Sequence, residues 1–163
     1  MTTKTDANNT TTTYIYDALN RLITIQFPDS TQNINYYYDD TQNQNSKGRL
    51  TAMTDQSGTI WYDYDKMGRV TMETKKINNL IYRTQYTYDL NGNLITITYP
   101  GGRKITYTYN QLNKVTLVAE TFAGVTKTLA SNITYLPFGN MTSLTYGNNL
   151  QQIVGYDQRY RIT

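Results

Sequence analysis

A short motif that recurs along the chain constrains its fold more than any other feature. Most copies have two tyrosines separated by one residue, then Asp or Asn, two variable residues, and Gly or Asn. The second tyrosine, or its equivalent, falls at residues 16, 38, 64, 88, 109, 135 and 156, which are 21 to 26 residues apart. An interval of this size is typical of a small supersecondary unit repeated in tandem. We therefore predict an array of about seven such units.

The residues of the motif are predicted to be structural, and none is assigned to catalysis. Copy by copy they are Tyr14, Tyr16, Asp17, Asn20 and Arg21; Tyr36, Tyr38, Asp39, Gly48 and Arg49; Tyr62, Tyr64, Asp65, Gly68 and Arg69; Tyr86, Tyr88, Asp89 and Gly92; Tyr107, Tyr109, Asn110 and Asn113; Tyr135 and Gly139; and Tyr156 and Asp157. The second copy is stretched by a polar insertion, residues 40–47, and the sixth copy is divergent.

The motif has the chemistry of a β-hairpin. Side chains alternate along a strand, so the two tyrosines of Tyr-x-Tyr share one face. Asp or Asn followed three residues later by Gly or Asn suits a type I turn that ends in a residue of positive φ and a bulge. That last position is occupied by Asn20, Gly48, Gly68, Gly92, Asn113 and Gly139. Only Gly and Asn occur there, and both tolerate left-handed geometry.

A second set of turns separates one hairpin from the next. The chain resumes as a strand after the motif at residues 22–27, 50–53, 70–74, 94–99 and 115–118. Further turn chemistry lies at 28–30, 56–58, 78–79, 100–102, 123–124 and 147–149. The sequence therefore predicts an all-β fold of tandem hairpins in a continuous antiparallel sheet, curved or spiralling. Apolar residues take both parities along the strands, so the sequence leaves open which face is buried.

Three segments depart from this rhythm. Residues 1–13 are polar and are expected to fray, so the array is assigned to residues 14–163. The insertion 40–47 is expected to be a mobile tip, and the strands between residues 120 and 132 are not placed by the pattern. The last copy ends partway through a repeat and has no polar cap. We expect open strand edges of this kind to pair with other copies of the chain.

Composition argues against several classes of function. The chain has no cysteine and no histidine, which removes disulfides, thiolate nucleophiles, and the commonest general base and metal ligand. The net charge is only +3, no basic stripe suited to nucleic acid is present, and no apolar run is long enough to span a membrane. We therefore predict no enzymatic activity, no cofactor, no metal and no nucleic-acid partner.

Two local patterns resemble ligand sites. Asp63 and Asp65 share a strand face and form a candidate pair for a divalent cation, but Asp65 is also the turn-starting residue of its repeat. Residues 100–104 suggest a phosphate loop, but they lack its spacing and its following helix. Both patterns are interpreted as turn structure.

The tyrosines offer the main functional alternative. Aromatic faces stack on sugar rings, so exposed tyrosines would make the array a carbohydrate-binding or adhesive module. Tyrosines at fixed repeat positions also form cross-strand ladders, and this structural interpretation is favoured. The cations that follow the turns are expected to pair with turn carboxylates or to stack on tyrosine rings. They are Arg21, Arg49, Arg69 and Lys114.

The unit Tyr-x-Tyr-Asp-x-x-Gly-Arg-Leu-Thr resembles the YD repeat of the Rhs family, over about residues 14–163. The resemblance implies a very large secreted or cell-surface protein, as in bacterial toxins, toxin-complex shells and teneurin adhesion receptors. It also implies that the repeats wind a continuous β-sheet into a hollow shell, which in toxins encloses a toxic C-terminal segment. A closed shell takes more repeats than seven, and the family's autoproteolytic core motif has no counterpart here. The resemblance therefore predicts a structural segment of shell wall.

Overall fold

The computed structural model describes all 163 residues and is almost entirely β-sheet. The strands are β1 (Thr2–Thr5), β2 (Thr11–Tyr16), β3 (Leu22–Gln26), β4 (Ile34–Tyr38), β5 (Leu50–Asp55), β6 (Gly58–Tyr64), β7 (Val70–Ile77), β8 (Leu80–Tyr88), β9 (Leu94–Thr98), β10 (Lys104–Tyr109), β11 (Val115–Phe122), β12 (Val125–Tyr135), β13 (Met141–Tyr146) and β14 (Gln151–Ile153). They belong to one 14-stranded sheet in which strand order follows chain order. The prediction of an all-β array of antiparallel hairpins is confirmed. The helical content is a 3-10 turn at Ser30–Gln32. The structure contains no helix with the length and hydrophobicity of a membrane span.

Two compact units make up the chain, Met1–Thr84 and Gln85–Thr163. In the first unit, two backbone hydrogen bonds close each of the two motif turns that carry no insertion. The Asn20 amide donates to the Asp17 carbonyl at 3.0 Å, and the Asp17 amide donates to the Arg21 carbonyl at 2.9 Å. The turn that begins at Asp65 has the same two bonds, both 3.0 Å long.

The second unit has the same backbone turn even where the side chains differ. The amides of Gly92, Asn113 and Gly139 each donate to the carbonyl three residues earlier, over 2.9 to 3.1 Å. The last of these carbonyls belongs to Leu136, which has no polar side chain. Backbone hydrogen bonds alone are therefore enough to close the turn.

Every position predicted to need positive φ has it. The φ values are 60° at Asn20, 79° at Gly48, 82° at Gly68, 88° at Gly92, 57° at Asn113 and 105° at Gly139. In the seventh copy the equivalent residue is Tyr160, with φ of 60°. A bulky side chain rarely adopts this conformation. The backbone bonds of the turn impose it there, because the Tyr160 amide donates to the Asp157 carbonyl at 3.0 Å.

A β-bulge lies beside the second tyrosine of the first six copies of the motif. In the first copy Tyr16 pairs with Leu22 but Ile15 pairs with Thr24, so Ile23 is an extra residue on the second strand. The same offset occurs beside Tyr38, Tyr64, Tyr88, Tyr109 and Tyr135. A bulge interrupts the two-residue alternation of a strand. It explains why apolar residues take both parities in the sequence.

Away from the bulges, the two faces of each unit differ in chemistry. On one face of the first unit, the paired rows are Tyr14, Ile25 and Ile34, and Tyr36, Met53 and Ile60. The opposite face has Thr24 and Asn35 in one row, with Thr54 and Thr59 beside them. The second unit has the rows Tyr86, Ile97 and Ile105, and Thr87, Thr96 and Thr106. Each unit thus has an aromatic and aliphatic face and a hydroxyl-rich face.

Few side chains are buried. The apolar ones are Ala52 and Ile105, at 8% and 6% exposure, and the polar ones are Ser46 and Thr51, at 5% and 3%. Hydrophobic stabilisation scales with the apolar area removed from water, so this chain gains less of it than a two-layered domain of equal length. Hydrogen bonds and contacts within the sheet have a correspondingly larger part in its stability.

Residues 1–13 form a hairpin, which corrects the expectation of a frayed segment. Strand β1 pairs with β2, and the turn between them begins at Asp6. The Asp6 carboxylate accepts hydrogen bonds from the amides of Asn8 and Thr10 at 2.8 and 2.9 Å. Asn9 has φ of 62°. Asp6 and Asn9 therefore have the spacing of the motif turn. This turn is hard to recognise in the sequence because no Tyr-x-Tyr pair precedes it.

The insertion 40–47 lies against the next hairpin rather than projecting as the predicted mobile tip. The Asn43 side-chain amide donates to the Tyr62 carbonyl at 2.9 Å and to the Asp63 carboxylate at 2.8 Å. The Asn45 side-chain amide donates to the Tyr64 carbonyl at 3.0 Å. These bonds join residues about twenty positions apart in sequence, so no local pattern reveals them.

The region that the pattern left unplaced is filled by two long strands. β11 and β12 continue through residues 120–132 and are joined by a tight turn at Ala123 and Gly124, with φ of 50° and 78°. Further bulges interrupt β12. These irregularities break the alternation of polar and apolar residues and make the strand hard to recognise from its sequence.

The geometry of the turns predicts a difference between neighbouring substitutions. Gly68→Val and Gly92→Val should each lower the free energy of unfolding by about 1–2 kcal/mol more than Met67→Val and Asn91→Val, because a β-branched residue resists left-handed φ. Thermal and urea denaturation of the four variants would measure this. Equal losses at all four positions would contradict the assigned turn geometry.

Candidate functional site

The second tyrosines form hydrogen bonds that run from one repeat to the preceding one. Each phenol below donates to a backbone carbonyl, and we call this contact the phenol–bulge bond. The pairs are Tyr38 to Leu22 at 3.0 Å, Tyr64 to Leu50 at 2.6 Å, Tyr109 to Leu94 at 2.9 Å, Tyr135 to Val115 at 2.8 Å, and Tyr156 to Met141 at 2.8 Å. Each of these contacts joins a motif tyrosine to the backbone of the preceding repeat.

The accepting carbonyl always precedes the extra residue of a bulge. Leu50, for example, precedes Thr51, which is the extra residue between the pairs Tyr38–Leu50 and Tyr37–Ala52. A bulge disrupts the ladder locally and leaves backbone groups in need of another partner. The Thr51 hydroxyl supplies one more bond across the bulge, to the Tyr37 carbonyl at 3.1 Å. The phenol and the threonine thus add two side-chain hydrogen bonds to the backbone around the bulge.

Burial of these phenols favours their neutral form. It raises the pKa of Tyr38, Tyr64, Tyr109 and Tyr135 above the ordinary value. A neutral phenol can donate its proton to a carbonyl, whereas a phenolate cannot. The direction of the shift therefore agrees with the hydrogen bonds that these groups make.

The turn-starting carboxylate organises the loop of each motif. One oxygen of Asp17 accepts from the amides of Leu19 and Arg21, at 2.8 and 2.9 Å, and the other accepts from the Arg21 guanidinium at 2.7 Å. Asp65 and Asp157 have the same set of bonds within their turns. The Arg21 backbone amide is the main cause that lowers the pKa of the Asp17 carboxyl.

Arg21 also links its turn to the next repeat. Its guanidinium lies 4.4 Å from the centre of the Tyr38 ring and pairs with the Asp39 carboxylate at 2.8 Å. The Arg49 guanidinium lies over the Tyr64 ring at 5.7 Å. The expectation that these arginines pair with turn carboxylates or stack on tyrosines is therefore confirmed for Arg21 in both respects.

In the fourth copy, side-chain amides replace the arginine contacts. The Asn93 amide donates to the Asp89 carboxylate of its own turn at 2.8 Å and to the Asn113 carbonyl oxygen of the next turn, also at 2.8 Å. Asn91 adds a longer bond to Asn113, at 3.2 Å. Neutral groups can thus take over the repeat-to-repeat contact.

The two candidate ligand patterns are occupied by structural contacts. Asp63 accepts from Asn43, whereas Asp65 is engaged by its own turn, so the two carboxylates do not converge. In the segment 100–104, Arg103 forms an ion pair with Glu120 and lies over the Tyr99 ring. This ion pair offsets the charge of Arg103, one of the two cations of the segment.

A family profile described as RHS Repeat matches residues 1–32, 45–76, 82–104 and 88–124, which together exceed half of the chain. The chain belongs to the RHS repeat family. The match begins at residue 1, in agreement with the additional hairpin at Asp6. No curated protein matches the chain.

Solved structures share the fold of this RHS repeat chain. The crystal structure of TcdB2-TccC3-Cdc42 superposes with a TM-score of 0.85 at 17% identity, over 98% of this chain and 9% of the other. TcdB2-TccC3 without its hypervariable C-terminal region gives the same values. A Tc holotoxin pore from Photorhabdus luminescens has a TM-score of 0.82, also at 17% identity and over 98% and 9% of the two chains. At this identity the likeness establishes the fold, and the chain spans about a tenth of the length of these proteins.

Removal of one phenol oxygen tests the phenol–bulge bond. Tyr64→Phe and Tyr109→Phe should each lower the free energy of unfolding by about 1 kcal/mol, because a partly buried carbonyl loses its donor. Tyr37→Phe is the matched control, since the Tyr37 ring is half exposed and should change stability by less than about 0.5 kcal/mol. Urea denaturation would measure the three variants, and equal effects would contradict the assigned role.

Alkaline denaturation of the same variants separates hydrogen bonding from packing. Because the folded pKa of these tyrosines is raised, their contribution is complete below the unfolded value of about 10 and is lost as pH rises through the folded pKa. The unaltered chain should therefore lose stability above about pH 10, and the double variant Tyr64→Phe/Tyr109→Phe should lose less over that window. An identical pH profile would argue against buried, proton-donating phenols at these positions.

Proposed function

We propose that this chain is a structural segment of the shell wall of a much longer secreted or cell-surface RHS repeat protein, and that the wall encloses or displays a toxin or effector. The supporting observation is the phenol–bulge bond, which engages the tyrosines of successive repeats in holding the sheet together. The aspartates of the motif are likewise engaged, by their own turns. We propose no catalytic role, cofactor or metal for the chain.

The similarity to TcdB2-TccC3 supports the cargo part of the proposal. The alignment extends over 98% of this chain, and those proteins are about ten times longer. A wall segment has to form a continuous sheet, and its repeats do not each need a ligand site. The network of tyrosine, aspartate and arginine contacts has that character.

Limited proteolysis of the longer protein that contains this chain tests the proposal. In the unaltered protein, a segment outside the repeats should resist a protease that cleaves it readily once the wall is denatured. The double variant Tyr64→Ala/Tyr109→Ala should expose that segment, whereas the control Tyr82→Ala/Tyr146→Ala, on tyrosines about 40% exposed, should not. Absence of any protected segment in the unaltered protein would contradict enclosure.

A second proposal concerns the two edge strands of the isolated chain. Within this chain β1 and β14 each have one neighbouring strand, and an unpaired edge presents free backbone donors and acceptors. We propose that the 163-residue chain by itself associates through these edges. Light scattering over a concentration series should show dimers or larger species, and a folded monomer at every concentration would refute the idea.

A carbohydrate-binding or adhesive role is the alternative. The second tyrosines that form phenol–bulge bonds do not support it, because their hydroxyl groups are already engaged. A sugar site has to use aromatic residues other than these, and one such pair exists on the hydroxyl-rich face of the first unit.

A further inference from the structure

Two exposed aromatic residues flank a small one on the hydroxyl-rich face of the first unit. Tyr37 of β4 pairs with Ala52 of β5, and Ala52 pairs with Trp61 of β6, so the three residues form one row across the strands. Residues paired in this way project from the same face of a sheet. Tyr37 and Trp61 are 50% and 40% exposed, whereas Ala52 is 8% exposed. The row therefore forms a slot, with the small, buried Ala52 at its floor and an exposed aromatic residue on each side.

The dimensions of the slot suit a single ring. Alternate strands of a sheet are about 9.5 Å apart, and this distance separates the backbones that bear the two aromatic side chains. The cavity there has a volume of about 480 Å³ and also borders Asp40, Thr54 and Thr59. Small-molecule sites commonly have volumes of about 300–1,000 Å³. A cavity of this volume is large enough for a single ring.

The polar groups around the slot are those that a sugar ring uses. The hydroxyl groups of Tyr37, Thr54 and Thr59 and the Trp61 indole N–H make no hydrogen bond within the chain, in contrast to the Tyr38 phenol and the Thr51 hydroxyl. Exposed hydroxyl groups can donate to and accept from sugar hydroxyl groups. The Asp40 carboxylate adds a hydrogen-bond acceptor and negative charge, which disfavours phosphate-bearing ligands.

We infer that the slot between Tyr37 and Trp61 binds a neutral sugar ring of a glycan. The ring places its C–H faces against the phenol and the indole, whose electron-rich faces attract the weakly positive hydrogens. Its hydroxyl groups bond to Thr54, Thr59 and Asp40 at the rim. This site is separate from the phenol–bulge bonds, so it stands whether or not the chain is part of a toxin shell.

The tryptophan of the slot gives a direct readout, because the chain has only one. The 163-residue chain is titrated with triacetylchitotriose, cellotriose and maltotriose while Trp61 fluorescence is followed. At least one trisaccharide should give a saturable change. Ala52→Leu, which fills the slot floor, and Tyr37→Ala, which removes one wall, should each weaken binding about tenfold or more. Tyr82→Ala is the control, since Tyr82 is 40% exposed but lies on β8, and it should bind as the unaltered chain does.

Thermal melts of each variant accompany the titrations. If Ala52→Leu does not fold, the half-exposed position of Tyr37 makes Tyr37→Ala the decisive variant. No saturable change with any of the three trisaccharides would overturn the inference, and so would unchanged binding in Tyr37→Ala. Tighter binding of adenosine monophosphate than of every sugar would overturn it as well, because the slot would then select planar anionic rings.

Discussion

The phenol of a second tyrosine donates to a carbonyl that the bulge of the preceding repeat makes available. The bulge and the tyrosine therefore depend on each other across a repeat boundary, as in the pair Tyr64 and Leu50. Backbone ladders join neighbouring strands, but a ladder alone permits a strand to slip in register. A side chain that reaches a particular carbonyl in the preceding hairpin fixes the register of one repeat against the other. In a sheet with few buried side chains, this contact helps to fix the relative positions of the strands, as packing in a hydrophobic core does in other folds.

The unusual composition follows from the same contact. The chain contains 17 tyrosines and only 3 phenylalanines, although both residues suit a strand and both cover apolar surface. Phenylalanine has no proton to donate, so it would leave the bulge carbonyl without its partner. A partly buried tyrosine satisfies the carbonyl while its ring packs on the sheet and, at Tyr38, beneath the Arg21 guanidinium. At the second tyrosine of these repeats, the preference for tyrosine over phenylalanine thus reflects hydrogen bonding rather than a requirement for exposed aromatic surface.

Features encoded within a few residues could be predicted, and features that join distant residues could not. The left-handed position at Gly68 is visible in sequence because Gly or Asn occupies its equivalent in five other predicted copies. The face taken by each strand was not predictable, because the bulge at Thr51 shifts the parity of the residues around it. The polar composition of the insertion predicts a mobile loop, whereas Asn43 and Asn45 bind β6. The slot at Tyr37 and Trp61 could likewise not be predicted, because its position depends on the register of three strands.

The turns explain how the fold persists when the motif varies. The turn closes on backbone hydrogen bonds, and these are present at Leu136, where no side chain assists. The aspartate and arginine strengthen that turn, and Asn93 replaces the arginine contact with an uncharged amide. Each copy therefore needs a residue that accepts left-handed φ, a bulge and a phenol, while most other positions are free to change. A chain built on those few requirements can keep the fold of TcdB2-TccC3 at 17% identity, because the bonds that define the sheet are mostly bonds to the backbone.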